Sequence, residues 1–155
     1  MSNPAEYKLL RLRELESMPS PGDQPGKVVA FWHANIPAAS WYDDHKECSV
    51  VIHLNVRKVV IGFHLVSIGT LDSTLVHPRD VFAPALVAGA HSIVLMHNHP
   101  SGDPSPSEDD IRLTRELIRG GRLLKVELLD SIIVGNCSGG SKGWASLREL
   151  GFFYV

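Results

Sequence analysis

The sequence predicts an α+β (α/β) fold in which a mixed β-sheet is flanked by helices, and three observations carry that prediction. Cys48 to Asn55 alternates with a period of two, the signature of a strand. Ser92 to Met96 is short and continuously apolar, as a fully buried strand would be. Between and after these strands lie two segments of helical pattern, one entered through Pro78 and one through Ser107. Strands and helices interleaved in this way build a sheet whose faces helices cover.

A chain of 155 residues fits one domain and can bury roughly two-thirds of its unfolded surface. Its 44% hydrophobic and 21% charged residues are ordinary for a globular protein. A formal net charge of -2 gives no global electrostatic footprint for nucleic acid. Cys48 and Cys137 match no paired-cysteine motif and read as reduced thiols of a cytoplasmic protein. The first residues lack the basic-then-apolar pattern of a signal peptide, and no apolar run suits a membrane span. Residues 1–45 read as an N-terminal extension packed on the core, and residues 46–155 as the domain proper.

Taken in order, Tyr7 to Leu15 fits a strand or an amphipathic helix, and breaker-rich Ser17 to Gly26 is a connector. Lys27 to Asn35 suits a helix that stops before Pro37. In the strand from Glu47, residues Cys48, Val50, Ile52 and Leu54 share one face, with Glu47, Ser49, Val51 and His53 on the other. Arg57 and Lys58 turn the chain into a second strand, Val59 to Ile68. A helix from Pro78 runs to Ala90, and the buried strand occupies His91 to Met96. The helix behind Ser107 is expected to end at Gly120 and Gly121. A strand follows within Leu123 to Val134, bent near Asp130, and Gly143 to Leu147 is a last short strand.

The residues that can carry chemistry gather around His97-Asn98-His99-Pro100. Two histidines one residue apart in extended chain point their imidazoles to the same side. A fold-back through Gly102 and Pro104 would return Asp110, on the first turn of the next helix, to the same place. Two histidines and one carboxylate leave a fourth tetrahedral position open, which distinguishes a catalytic metal site from a closed structural one. Ser107 is an N-cap that forms a capping box with Asp110, and its hydroxyl could also steady a developing oxyanion. A metal-activated water needs a base. Asp103, Glu108 and Asp109 sit where solvated acids usually sit, whereas Glu47 opens a strand on the face opposite its apolar side chains. Periodicity leaves Glu47 as either a site carboxylate or an exposed strand-edge acid.

An upstream Glu, then His-x-His-Pro, then Ser-x-x-Asp resembles the JAMM metalloprotease motif. More narrowly, Gly69 to Ser73, His77 to Asp80, His97 to Gly102 and Pro106-Ser107 resemble the RadC family, also called UPF0758. The resemblance implies the JAMM/MPN architecture, cytidine-deaminase-like in its layers. It also implies one zinc ion per chain held by His97, His99 and Asp110, with Glu47 as general acid/base and Ser107 on the oxyanion side. Leu129-Asp130-Ser131 departs from the family's Leu-Asp-His, which leaves Asp130 and Ser131 as wall residues. The implied activity is hydrolysis of a peptide or isopeptide bond, with a protein or peptide as substrate. A DNA-repair role acting on DNA, a non-catalytic zinc module and a homodimer are the further readings that the sequence leaves open.

Overall fold

The computed structural model describes residues 15, 22–69 and 76–154. The first predicted strand, Tyr7 to Leu15, lies outside the described residues except for Leu15 at its end. The elements that follow are α1 (Pro25–Asn35), β1 (Glu47–Leu54), β2 (Val60–Gly69), α2 (Pro78–Val87), β3 (Ser92–Asn98), α3 (Glu108–Leu124), β4 (Glu127–Val134) and β5 (Trp144–Ser146). The five strands make one sheet in the order β2-β1-β3-β4-β5. β1 pairs antiparallel with both β2 and β3, β3 pairs parallel with β4 through the α3 crossover, and β4 pairs antiparallel with β5. This is the mixed, helix-flanked α+β sheet that the sequence predicts.

β1 is buried along its length, because it lies inside the sheet and both of its faces are covered. Val50, Ile52 and Leu54 join Val28, Phe31 and Trp32 of α1 in one cluster. Val51, on the opposite face, joins Val81, Phe82 and Ala85 of α2 and Leu117 and Ile118 of α3 in the other. Alternation therefore assigns the two faces correctly, and both are core.

Several boundaries differ from the sequence reading, by one or two residues in α1, β2 and β5, and with consequences for packing or the site in three other elements. α2 stops at Val87, and the turn out of it passes through Gly89 at φ +71°. β3 runs on to Asn98, so His97 lies within the strand and not beyond it. α3 continues through Gly120 and Gly121 to Leu124 and is capped by Lys125 in the left-handed region. Those glycines are present for packing: a Cβ on Gly121 would sit 2.4 Å from the Val126 carbonyl oxygen, and one on Gly120 would sit 3.1 Å from the Phe82 ring. They let α3 close onto β4 and α2.

The bend near Asp130 is a register shift against β3, where Ile93 pairs with Leu128 and Val94 with Asp130. The Asp130 carboxylate accepts hydrogen bonds from the Ser146 hydroxyl (2.6 Å), the Ser131 N–H (2.8 Å) and the Arg148 N–H (3.2 Å). It ties β4 to β5 and the following turn, which is a structural role and not that of a wall. Burial pushes its pKa up, against those hydrogen bonds. On β1 and β2, His53 Nε2 lies 2.7 Å from His64 Nδ1, and His64 Nε2 lies 3.0 Å from the Asp80 carbonyl. With the carbonyl accepting from His64, this chain holds both rings neutral. Burial, and then the neighbouring His64, lower the His53 pKa to about 4.

Candidate metal centre

The site forms at the carboxyl end of β3, where a crossover from sheet to helix leaves a crevice. Alternation places His97 with Ile93 and Leu95 on the α2–α3 face of the sheet, and His99, one residue past the strand, follows on the same side. The result is an Nε2–Nε2 separation of 3.2 Å between the two rings. The β1–β3 register sets Ser49 opposite His97, so Glu47, two residues earlier in antiparallel β1, comes level with His99. Its Oε1 lies 3.9 Å from His97 Nε2, with the Glu47 side chain 28% exposed.

Asp110 reaches the same point because the connecting loop is tied at both ends. The Gly102 N–H donates to the His99 carbonyl at 2.9 Å, and the Gly102 carbonyl accepts from the Asn136 N–H at 2.8 Å. Gly102 has φ +84°, and a Cβ on Gly135 would fall 2.4 Å from the Gly102 oxygen, so both positions need glycine. At the helix start Ser107 and Asp110 form the predicted capping box. Asp110 Oδ2 accepts from the Ser107 N–H (2.8 Å) and from its hydroxyl (2.8 Å), while Ser107 Oγ accepts from the Asp110 N–H (3.1 Å). The box fixes the carboxylate with Oδ1 at 3.1 Å from His97 Nε2 and Oδ2 at 3.4 Å from His99 Nε2.

The electrostatics agree with the geometry. Burial alone would raise the Asp110 pKa, but hydrogen bonds from His97 and His99, with the Ser107 N–H, hold it well below the carboxylate range. Burial opposes charge on His99 too, yet the Asp110 carboxylate and the Asp103 carbonyl raise its pKa. His99 Nδ1 lies 2.8 Å from that carbonyl and donates to it, which leaves Nε2 as the ring nitrogen facing Asp110 and His97.

This donor set fits a tetrahedral cation. Ligand atoms about 2.05 Å from a zinc ion lie about 3.3 Å apart along the edges of a tetrahedron. The Nε2–Nε2 separation of 3.2 Å is close to that edge, and the Asp110 carboxylate meets each ring through a different oxygen, Oδ1 at 3.1 Å from His97 and Oδ2 at 3.4 Å from His99. His97, His99 and Asp110 are also the three residues that group as metal-binding among the described residues. The other local acids are occupied elsewhere or face solvent. Asp103 Oδ1 accepts from the Ser105 N–H, Asp109 pairs with Arg112, and Glu108 is exposed.

Residues 23–152 match the family described as the RadC-like JAB domain. The chain belongs to the RadC family. It is 40% identical over 126 residues to a UPF0758 protein of Chlorobium chlorochromatii, covering 81% of this chain and 52% of that protein. It is 43% identical over 108 residues to one of Caldanaerobacter subterraneus (70% and 44%), and 48% identical over 101 residues to one of Symbiobacterium thermophilum (65% and 41%). The chain thus spans about half the length of the curated relatives it matches. RadC membership together with the His–His–Asp group fits a metal hydrolase of JAMM type.

Sequence reasoning passed over Asn98, the residue between the two RadC histidines. Its side chain points to the opposite side from theirs and is buried, 6% exposed. Its Oδ1 accepts from the Cys48 N–H (2.8 Å) and its Nδ2 donates to the Lys46 carbonyl (2.9 Å). Those two backbone groups flank Glu47, so one side chain clips the start of β1 to the metal end of β3. The available signal was a polar residue at a buried strand position, which must find partners. No helix among the described residues is long and apolar enough to cross a membrane.

Proposed function

We propose that this chain is a zinc-dependent hydrolase of JAMM type that cleaves a peptide or isopeptide bond. The observation that carries the reading is the convergence of His97 and His99, 3.2 Å apart and each within 3.4 Å of the Asp110 carboxylate, with a partly exposed carboxylate, Glu47, beside them. His97, His99 and Asp110 would hold one ion. Bound there, zinc would polarise a carbonyl oxygen and lower the pKa of water towards about 7.

The protein's own groups do the rest. Glu47 stands within reach of a water in the crevice, takes its proton as that water attacks, and passes it to the leaving amine nitrogen. Ser107 donates its hydroxyl hydrogen to Asp110 in this structure. As charge develops on the carbonyl oxygen, the hydroxyl turns to it, while the Ser107 N–H keeps Asp110 in place. Asn98 holds Glu47 at its station, and Asp103 holds the His99 tautomer.

The test is a pair of variants read by elemental analysis and turnover. Glu47→Gln should retain about one zinc per chain and lose about 10²- to 10⁴-fold in rate. His97→Ala/His99→Ala should lose the metal. Full activity in Glu47→Gln would remove Glu47 from the mechanism, and failure of the wild type to take up zinc would overturn the hydrolase reading.

A further inference from the structure

α3 begins at the metal centre and carries four arginines, Arg112, Arg115, Arg119 and Arg122, and no lysine. All four are exposed. At 3.6 residues per turn they fall within an arc of about 80° and run about 15 Å along the helix, away from the site. Leu123, 83% exposed, lies at the far end of the helix, about 20° outside that arc on the Arg112 side. Arg112 pairs with Asp109 at 2.6 Å, and no ion pair is formed by Arg115, Arg119 or Arg122 among the described residues. A surface concavity of about 380 Å³ lies between Glu108, Ile111, Arg112, Arg115 and Arg119.

Helix stability does not account for this arrangement. The macrodipole favours cations in the last turn, which covers Arg122, and the pair with Asp109 covers Arg112, but neither covers Arg115 or Arg119 in the middle of the helix. Nor does either account for an exposed leucine beside the arginines. The chain as a whole is acidic, with a formal net charge of -2, so the stripe stands out from the average surface. Guanidinium groups are suited to carboxylates and phosphates because their planar fork donates two parallel hydrogen bonds.

We propose that this face of α3 docks an acidic stretch of a polypeptide, ending in an apolar residue over Leu123, next to the bond presented to the metal centre. This rests on the hydrolase reading for its placement along a substrate. One observation favours a polypeptide over a nucleic acid: Leu123 offers an apolar contact that a phosphodiester backbone cannot use. An extended peptide rises about 3.3 Å per residue, so about five residues span the stripe.

The test measures binding of fluorescein-labelled hexaglutamate, with a leucine at either end, by anisotropy on zinc-free and zinc-loaded protein. Wild type should bind, more weakly as salt rises from about 50 to 500 mM. Arg115→Glu/Arg119→Glu should weaken binding about tenfold or more, and Leu123→Ser should remove the advantage of the leucine-bearing peptides. Lys27→Glu/Arg57→Glu, the same charge change at exposed positions elsewhere, should bind within about twofold of wild type at each salt concentration. Absence of binding, equal binding by wild type and the α3 variant, or tighter arginine-dependent binding of a DNA oligonucleotide of equal charge would each overturn the proposal. Zinc uptake is read on the same samples, so a failed metal site and a failed docking face give different results.

Discussion

Asn98→Ala removes one side chain that makes two hydrogen bonds on either side of the candidate base. The Cys48 N–H is fully buried, and without Asn98 Oδ1 it has no acceptor, which costs about 1–3 kcal/mol. Lys46 is exposed, so water can replace Asn98 Nδ2 at its carbonyl at little cost. The expected loss of stability is therefore about 2 kcal/mol, against the 5–15 kcal/mol of a typical domain, and the variant stays folded. The candidate metal ligands keep their own supports: the capping box holds Asp110, the Asp103 carbonyl holds His99, and the strand ladder holds His97. Zinc uptake should consequently match wild type while Glu47 loses its anchor, and a displacement of about 1 Å costs on the order of 10²-fold in rate. Urea unfolding measures the stability, and amide hydrogen exchange reports Cys48 directly. Asn98→Asp serves as the partial variant, because it keeps the acceptor for Cys48 but sets a carboxylate against the Lys46 carbonyl. Unchanged stability together with unchanged Cys48 exchange in Asn98→Ala would refute the claim that this side chain clips β1 to β3.

Four other outcomes follow from the packing and the site. Gly121→Ala should destabilise by about 1–3 kcal/mol in urea unfolding, since its Cβ meets the backbone of Val126 and neither element can yield freely. Lys125→Gly should stabilise by about 1 kcal/mol in the same assay, because Lys125 holds φ +60° at the end of α3 and glycine does so without strain. The His53 pKa is depressed in the folded state, so its contribution is complete above about pH 6.5 and is lost as pH falls to about 4, roughly 3 kcal/mol in all. Urea midpoints at pH 7 and pH 4.5 check this, and His53→Gln should shrink the difference. Zinc at about 100 times its dissociation constant should add about 2.7 kcal/mol of stability by thermal melting, reversed by a chelator and absent in His97→Ala/His99→Ala.

What the sequence made legible was whatever depends on near neighbours. The period-two run at Cys48, the apolar run before His97 and the Ser107–Asp110 capping box are each local patterns with one physical solution, and each appears in the structure. Other features required knowing what lies across the fold. Gly120 and Gly121 look like a helix stop until Phe82 and Val126 are seen pressing on them. Asp130 looks like a free acid beside an altered position until Ser146 and Arg148 are found bonded to it. Asn98 and its partners Lys46 and Cys48 are separated by about fifty residues, and nothing local at either end announces the pairing.

The same division explains why the ligands were easier to find than their supports. Asp110 is a candidate ligand and the third residue of a helix at once, and one capping box serves both purposes. A change at Ser107 that weakens the helix start therefore also loosens the carboxylate. His99 is held by a carbonyl four residues on, again locally. Glu47 is different, because only the β1–β3 register and the Asn98 clip bring it to His97. The candidate ligand group is thus largely a property of the segment 97–110, while the position of the candidate base is a property of the sheet. Perturbations that shift β1 without unfolding it should accordingly separate metal binding from turnover, with zinc retained and the rate lost.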